Sequence, residues 1–181
     1  CSLINLKKLV YLISPNKINN NFYDDLKKVL SAKNVKFFQL RLKKVKKSKI
    51  ITIAKEIKKI TKKYKVKLII NDHPHISKIT NADGCHLGQS DGSAINAKKY
   101  LKKKIIGVTC HNSKSLAKIA IQNKADYLAF GSFSKSKLKP NAKKANLNIL
   151  KWAKRNIKKP IVAIGGINNS NYKKFIKSGA K

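Results

Sequence analysis

Gln39, Arg41 and Lys43 are spaced by two at the end of the apolar run Val35-Lys36-Phe37-Phe38. In an extended strand, that spacing turns all three side chains toward one face. Three polar groups on one side of a strand need a polar cavity or solvent in front of them. Arg41 stands out because only two arginines, Arg41 and Arg155, occur among 43 basic residues. A guanidinium presents a planar fork that takes phosphate oxygens two at a time, whereas an ammonium acts as a point charge. A solvated strand end or a structural ion pair would use the same residue types.

Carboxylates are as scarce: the seven acids are Asp24, Asp25, Glu56, Asp72, Asp83, Asp91 and Asp126. Asp72 and Asp91 each follow a strand-like run. Two such carboxylates together with phosphate-binding groups point to Mg²⁺, which one or two carboxylates plus substrate phosphates commonly hold. Either could instead cap a helix. The four histidines, His73, His75, His86 and His111, show no zinc-ligand spacing with cysteine, and His73 and His75 point to no role. Gly165-Gly166, followed by Asn168 to Ser170 and a helical run, fits a phosphate bound by backbone N–H groups at a helix N-terminus.

The elements that must position these residues alternate strictly. The strand-like runs are Val10–Ile13, Val35–Arg41, Leu68–Ile70, Cys85–Leu87, Ile105–Cys110, Tyr127–Phe130 and Ile161–Ile164. Helical runs separate them. The clearest is Ser48 to Lys63, with Ile50, Ile53, Ala54, Ile57 and Ile60 at three- and four-residue spacing and Ser48 as its N-cap. Ser113 and Asn146 cap two later helices, and a last helix is read from Asn169 to Lys177. Asp83 and Asp126, each preceded by alanine and followed by a strand, read as turn or capping residues.

Strict alternation implies parallel strands with right-handed crossovers. The fold class is therefore α/β, a TIM-type (β/α)8 barrel truncated before the eighth strand–helix unit; an open doubly wound sheet is the alternative. Residues 1–181 are read as a single barrel domain, incomplete at both ends: methionine is absent, and Ser178-Gly179-Ala180 sits where a third copy of the turn before earlier strands, Asn81-Ala82-Asp83 and Lys124-Ala125-Asp126, would stand. Barrel active sites lie at the carboxyl ends of the strands. There stand Gln39, Arg41, Lys43, Asn71, Asp72, Gly88, Gln89, Asp91, Thr109, His111, Gly131, Ser132, Ser136, Lys139, Gly165 and Gly166.

Composition removes several classes. Apolar residues make up 42%, too many and too periodic for a disordered chain. No apolar run approaches the ~20 residues of a membrane helix, and the start has no secretory-signal layout. The three cysteines, Cys1, Cys85 and Cys110, form neither a disulfide framework nor a metal motif, so the cytoplasm is the default location. The net charge of +36 attracts anions generally and should make the fold salt-sensitive. The lysines fall on nearly every helical run without interleaved aromatics, which argues against a specific nucleic-acid partner.

Taken together, Phe38-Gln39-Leu40-Arg41-Leu42-Lys43, Ile70-Asn71-Asp72, Ala82-Asp83-Gly84-Cys85-His86-Leu87-Gly88-Gln89-Ser90-Asp91 and Ala163-Ile164-Gly165-Gly166-Ile167 resemble the thiamine phosphate synthase family in order and spacing. The resemblance implies a cytoplasmic transferase of thiamine biosynthesis. Such an enzyme joins a pyrimidine methyl diphosphate to a thiazole ethyl phosphate and releases diphosphate. It further implies Mg²⁺ held by Asp72 and Asp91, and a diphosphate contacted by Arg41, Lys43, Asn71, Thr109 and Lys139. Gln39 would lie near the pyrimidine, Ser136 would keep a hydroxyl toward substrate, and the Gly166 N–H would meet the thiazole phosphate. Arg41, Lys43, Thr109 and Lys139 are the catalytic candidates. Partners are these small molecules, with no membrane, and a homo-oligomer is compatible with this reading. Leu138 and Ser132 depart from the family pattern. A thiazole tautomerase-like enzyme and a degenerate, non-catalytic phosphate-binding barrel are the alternatives.

Overall fold

The computed structural model describes residues 9–134 and 144–180. The chain divides into two compact units, residues 1–85 and 86–181.

In the first unit, β1 (Val10–Ile13), β2 (Val35–Leu40) and β3 (Lys67–Asn71) lie side by side and parallel, in chain order. Helices α1 (Phe22–Leu30), α2 (Lys47–Lys63) and α3 (Pro74–Ile79) follow them in turn. The apolar face read from α2 is the buried face: Ile50, Ile53, Ala54 and Ile57 are buried, with Thr61 extending the stripe. These side chains pack with Leu40, Leu68 and Ile70 in one core cluster. Full burial of each Leu or Ile contributes roughly 1.5–3 kcal/mol, so this cluster is the unit's main source of stability.

Ser48 is not the N-cap of α2. The helix starts one residue earlier, after Lys46, and no side chain caps it. The Ser48 carbonyl instead accepts the Thr52 hydroxyl within the helix. Similarly, β2 ends at Leu40 rather than Arg41. Beyond that point Ser14 takes over from the ladder: its amide donates to the Gln39 carbonyl at 2.9 Å, and its Oγ accepts the Arg41 N–H at 2.9 Å.

β4 (Gly84–Leu87) crosses the division between the units. In the second unit, α4 (Ala94–Leu101), β5 (Ile105–His111), α5 (Lys114–Gln122), β6 (Tyr127–Phe130), α6 (Leu147–Asn156), β7 (Ile161–Ala163) and α7 (Tyr172–Ser178) follow. β5, β6 and β7 are parallel neighbours. Ser113 and Asn146 do cap their helices, accepting from the Leu116 and Asn148 amides at 3.2 and 3.0 Å. The last helix begins at Tyr172, later than Asn169, because Asn168 and Asn171 exchange side-chain-to-backbone bonds in a turn of their own.

Asp83 and Asp126 do more than close turns. Asp83 Oδ2 accepts the Leu68 amide at 2.8 Å and the Lys58 ammonium at 2.6 Å, while its own amide donates to the Leu68 carbonyl at 2.8 Å. Asp126 repeats the pattern with the Ile106 amide at 2.8 Å, Lys98 at 2.6 Å, and its own amide on the Ile106 carbonyl at 2.7 Å. Each aspartate therefore holds the base of the preceding strand and ties it to a helix lysine.

Burial alone would raise the Asp83 carboxyl. The Lys58 hydrogen bond, the Leu68 amide and the charges of Lys58 and Lys67 outweigh it, and the group is held below its usual value of 3.8. A carboxyl lowered on folding stabilises the protein above its unfolded pKa, and that contribution disappears as pH falls through the lower folded value. The wild type should therefore lose stability more steeply than Asp83→Asn as pH falls through and below the usual aspartate value of 3.8. At neutral pH the variant should be weaker by about 2 kcal/mol, since a charge-assisted bond is replaced by neutral ones. Urea unfolding at pH 7 and pH 3 reads both effects; parallel pH dependence in the two proteins would contradict the assignment.

Candidate functional site

In the first unit, the residues singled out by the sequence cluster at the carboxyl ends of β2 and β3. Gln39 is buried on β2, and its Nε2 donates to the Tyr11 hydroxyl at 2.8 Å. Tyr11 is fixed in turn by stacking on Phe37, with ring centroids 5.6 Å apart. Arg41 follows the end of the strand, half-buried, with its backbone gripped by Ser14. The Lys43 amide donates to Asn16 Oδ1 at 2.7 Å, and its ammonium pairs with the Asp72 carboxylate. The spacing argument therefore holds in part. Gln39 turns inward while Arg41 and Lys43 are progressively exposed, but only Gln39 lies within the strand proper.

Asn71 ends β3, buried, and Asp72 follows in the left-handed region at φ 64°. Asp and Asn tolerate that region better than most residues. The turn bends the chain away from the strand and brings the carboxylate, mostly buried, to the more exposed Lys43. Ser14 and Asn16 were missed by sequence reasoning. Their signal was their place in Ser14-Pro15-Asn16, a turn cluster directly after the first strand.

In the second unit, Asp91 folds back on its own turn. Its Oδ2 accepts the Gly88 amide at 3.0 Å, and its amide donates to the Gly88 carbonyl. A Cβ on Gly88 would stand 2.5 Å from that carboxylate oxygen, so glycine is what lets the carboxylate approach. Asp91 is not the helix cap its position allowed; Ser93 occupies that place for α4. Thr109, on β5, has its carbonyl held by Gln89 Nε2 at 2.5 Å and its hydroxyl 2.7 Å from His86 Nε2. His111 ends β5, exposed, at φ 51°.

Gly165 and Gly166 follow β7 at φ 86° and 76°. A Cβ on Gly165 would meet Ser132 Oγ at 2.2 Å, and one on Gly166 would meet Ser134 Cβ at 2.4 Å. The pair therefore permits close packing of the segment after β6. Because α7 starts only at Tyr172, the glycines are not at a helix N-terminus; any anion there would meet loop N–H groups made accessible by the missing side chains. The Gly166 carbonyl accepts from Asn171 Nδ2 at 2.8 Å, which anchors the turn. Ser132 closes its own short turn, donating to the Ser134 carbonyl at 2.8 Å and accepting the Ser134 amide at 3.3 Å. Ser136, Leu138 and Lys139 lie outside the described residues.

Among the described residues, no group of three or more His, Cys, Asp or Glu side chains gathers. That excludes an all-protein cage of those ligands there. It leaves room for a hard cation completed by substrate oxygens and water, the usual way Mg²⁺ binds. Within their own units, the Asp72 carboxylate stands beside Lys43 and the Asp91 carboxylate on the Gly88 amide. Among the same residues, no helix is long and apolar enough to cross a membrane.

A family model described as thiamine monophosphate synthase matches residues 10–181. This chain belongs to the thiamine monophosphate synthase family. A thiamine-phosphate synthase of Pelagibacter ubique is 60% identical over 171 residues, covering 94% of this chain and 83% of that protein. The corresponding protein of Erythrobacter litoralis is 38% identical over 176 residues, covering 94% of this chain and 83% of its own length. A solved structure of the thiamine phosphate pyrophosphorylase from Pyrococcus furiosus aligns with a TM-score of 0.85 at 27% identity, covering 96% of this chain and 83% of that one. The fold class of this member of the family is accordingly the TIM-type (β/α) barrel, as the strand–helix alternation implied.

Within the family fold, the Gly165-Gly166 turn is sterically constrained, with no room for a Cβ at either position. Gly166→Ala should lower stability by about 1–3 kcal/mol, through both the left-handed backbone and the clash with Ser134. That corresponds to a fall in Tm of roughly 3–10 °C, readable by thermal denaturation. An unchanged Tm would show that the turn relaxes freely.

Proposed function

We propose that the chain is a thiamine-phosphate synthase: a transferase that joins 4-amino-2-methyl-5-hydroxymethylpyrimidine diphosphate to 4-methyl-5-(2-phosphoethyl)thiazole and releases diphosphate. The observation that carries this reading is the pairing of Lys43 with Asp72 at the tips of β2 and β3, next to the segment that bears Arg41. A phosphate-binding cation and a carboxylate fit for a divalent ion stand side by side there.

In this reading, the bond between the pyrimidine methylene and the diphosphate oxygen breaks, and the thiazole nitrogen takes the methylene carbon. The protein's task is electrostatic, because negative charge collects on the departing diphosphate. Asp72 and Asp91 would hold Mg²⁺, which when bound would supply counter-charge to that group. Arg41, Lys43, Asn71, Thr109 and Lys139 hold the diphosphate oxygens. The Arg41 fork fixes two of them, while Lys43 can leave Asp72 for a phosphate at little cost because its side chain is half in solvent. Gln39, fixed by Tyr11, presents its amide oxygen toward the pyrimidine. Ser136 contributes a hydroxyl and Gly166 its N–H, the latter to the thiazole phosphate. The buried thiols Cys85 and Cys110, neither in a disulfide, suit a reducing cytoplasm.

The test is to mix the two substrates with Mg²⁺ and follow diphosphate and thiamine phosphate together. A tautomerase or a binding-only barrel would release neither. Arg41→Ala should cut turnover at least about tenfold, the loss expected when a charge-assisted contact to the leaving group is removed; near-normal rates would remove Arg41 from the diphosphate. Asp91→Asn should raise the Mg²⁺ concentration needed for half-maximal rate, and an unchanged metal response would remove Asp91 from the cation.

A further inference from the structure

We propose that Tyr127 and His86 form a buried relay that orients the Thr109 hydroxyl, which makes both of them positioning residues. His86 lies on β4, 4% exposed, between two hydroxyl groups. Its Nδ1 is 2.8 Å from the Tyr127 hydroxyl and its Nε2 is 2.7 Å from Thr109 Oγ1. The imidazole and phenol rings stack with centroids 5.5 Å apart. Tyr127 is also 4% exposed, and its backbone pairs opposite Gly107 on β5. A Cβ on Gly107 would lie 1.9 Å from Tyr127 Cζ. Glycine at that position makes the slot in which the phenol lies.

The direction of the relay follows from donor strength. A neutral imidazole has one donor and one acceptor nitrogen, so the row of three groups can run in only two ways. A phenol is a stronger donor and a poorer acceptor than an aliphatic hydroxyl, as its far lower pKa shows. The Tyr127 O–H therefore donates to Nδ1, and the Nε2 N–H donates to Thr109 Oγ1. With its oxygen engaged by His86, Thr109 turns its own hydrogen outward, ready to donate to an anion. The opposite direction would use that hydrogen on His86 and leave only lone pairs facing outward. Gln89 holds the Thr109 carbonyl, so the backbone under this hydroxyl is fixed as well.

This inference rests on the reading of Thr109 as a diphosphate donor, and the experiment keeps the two apart. In ¹⁵N-histidine-labelled wild type, the signal that vanishes in His86→Gln should show Nε2 protonated and Nδ1 bare. In Tyr127→Phe, that signal should move toward a mixture of tautomers. The inhibition constant of inorganic diphosphate with Mg²⁺ should rise about fivefold in the same variant, the worth of one hydrogen bond, with the KM for thiazole phosphate unchanged. His86→Gln, which retains an amide donor near the Nε2 position, should keep more diphosphate affinity than His86→Ala. A wild-type His86 protonated on Nδ1, or a Tyr127→Phe spectrum identical to wild type, overturns the relay. If Thr109→Val leaves diphosphate inhibition unchanged while the tautomer is as stated, the role given to Thr109 fails instead.

Discussion

The aspartate that grips the base of a neighbouring strand is the interaction on which the rest depends. Parallel strands have no tight hairpin to set their register, and a slip of one residue would exchange the two faces of a strand. Asp83 and Asp126 remove that freedom by exchanging two bonds each with the first turn of a strand, at Leu68 and at Ile106. Once Leu68 is fixed, Leu68 and Ile70 enter the core with α2, and Asn71 and Asp72 emerge at the far end of β3. Once Ile106 is fixed, Thr109 and His111 emerge at the far end of β5. In a chain with 43 basic and 7 acidic residues, keeping two of the acids at strand bases is a large share of the supply.

At the strand tips, the physics is different. Apolar packing no longer decides conformation there; hydrogen bonds to particular partners do. Gln39 is buried because Tyr11 meets its amide, and the backbone past β2 is held by Ser14 and Asn16 in place of a ladder. Asp72, His111, Gly165 and Gly166 all take left-handed conformations that the strands behind them do not. Such conformations cost of order 1–3 kcal/mol each for residues with a side chain, and they persist only where the surroundings over-determine them. They cluster here because a strand that stops abruptly must bend sharply to present a short side chain at its end.

Patterns that depend on periodicity were legible in the sequence, and those that depend on a distant partner were not. The buried face of α2 follows from spacing alone, and the caps Ser113 and Asn146 follow from residue type at a boundary. Ser48 misled because serine is a good cap only where the chain enters in an extended conformation, and here the helix begins at Lys47. The pairing of Lys43 with Asp72 spans 29 residues, and that of His86 with Tyr127 spans 41. No local pattern reports separations of that kind. His86 had no visible role because an imidazole is read as a ligand or a base only beside other such groups. Its actual neighbours are two hydroxyls, among the commonest side-chain groups in any sequence.

The high positive charge and the strand tips have separate tasks. A net charge of +36 draws any anion toward the surface, but exposed charges are screened over about 8 Å at physiological ionic strength. Bulk charge can therefore raise the rate of encounter, yet it distinguishes poorly between phosphate-bearing molecules. Discrimination must come from groups at fixed positions within hydrogen-bonding reach. A guanidinium differs from an ammonium in geometry as well as in hydration, so Arg41 and the helix lysines are not interchangeable. The same logic explains a carboxylate kept beside Lys43. Asp72 draws the ammonium to the tips of β2 and β3, where it is one charge at a preferred position and not one more cation spread over the surface.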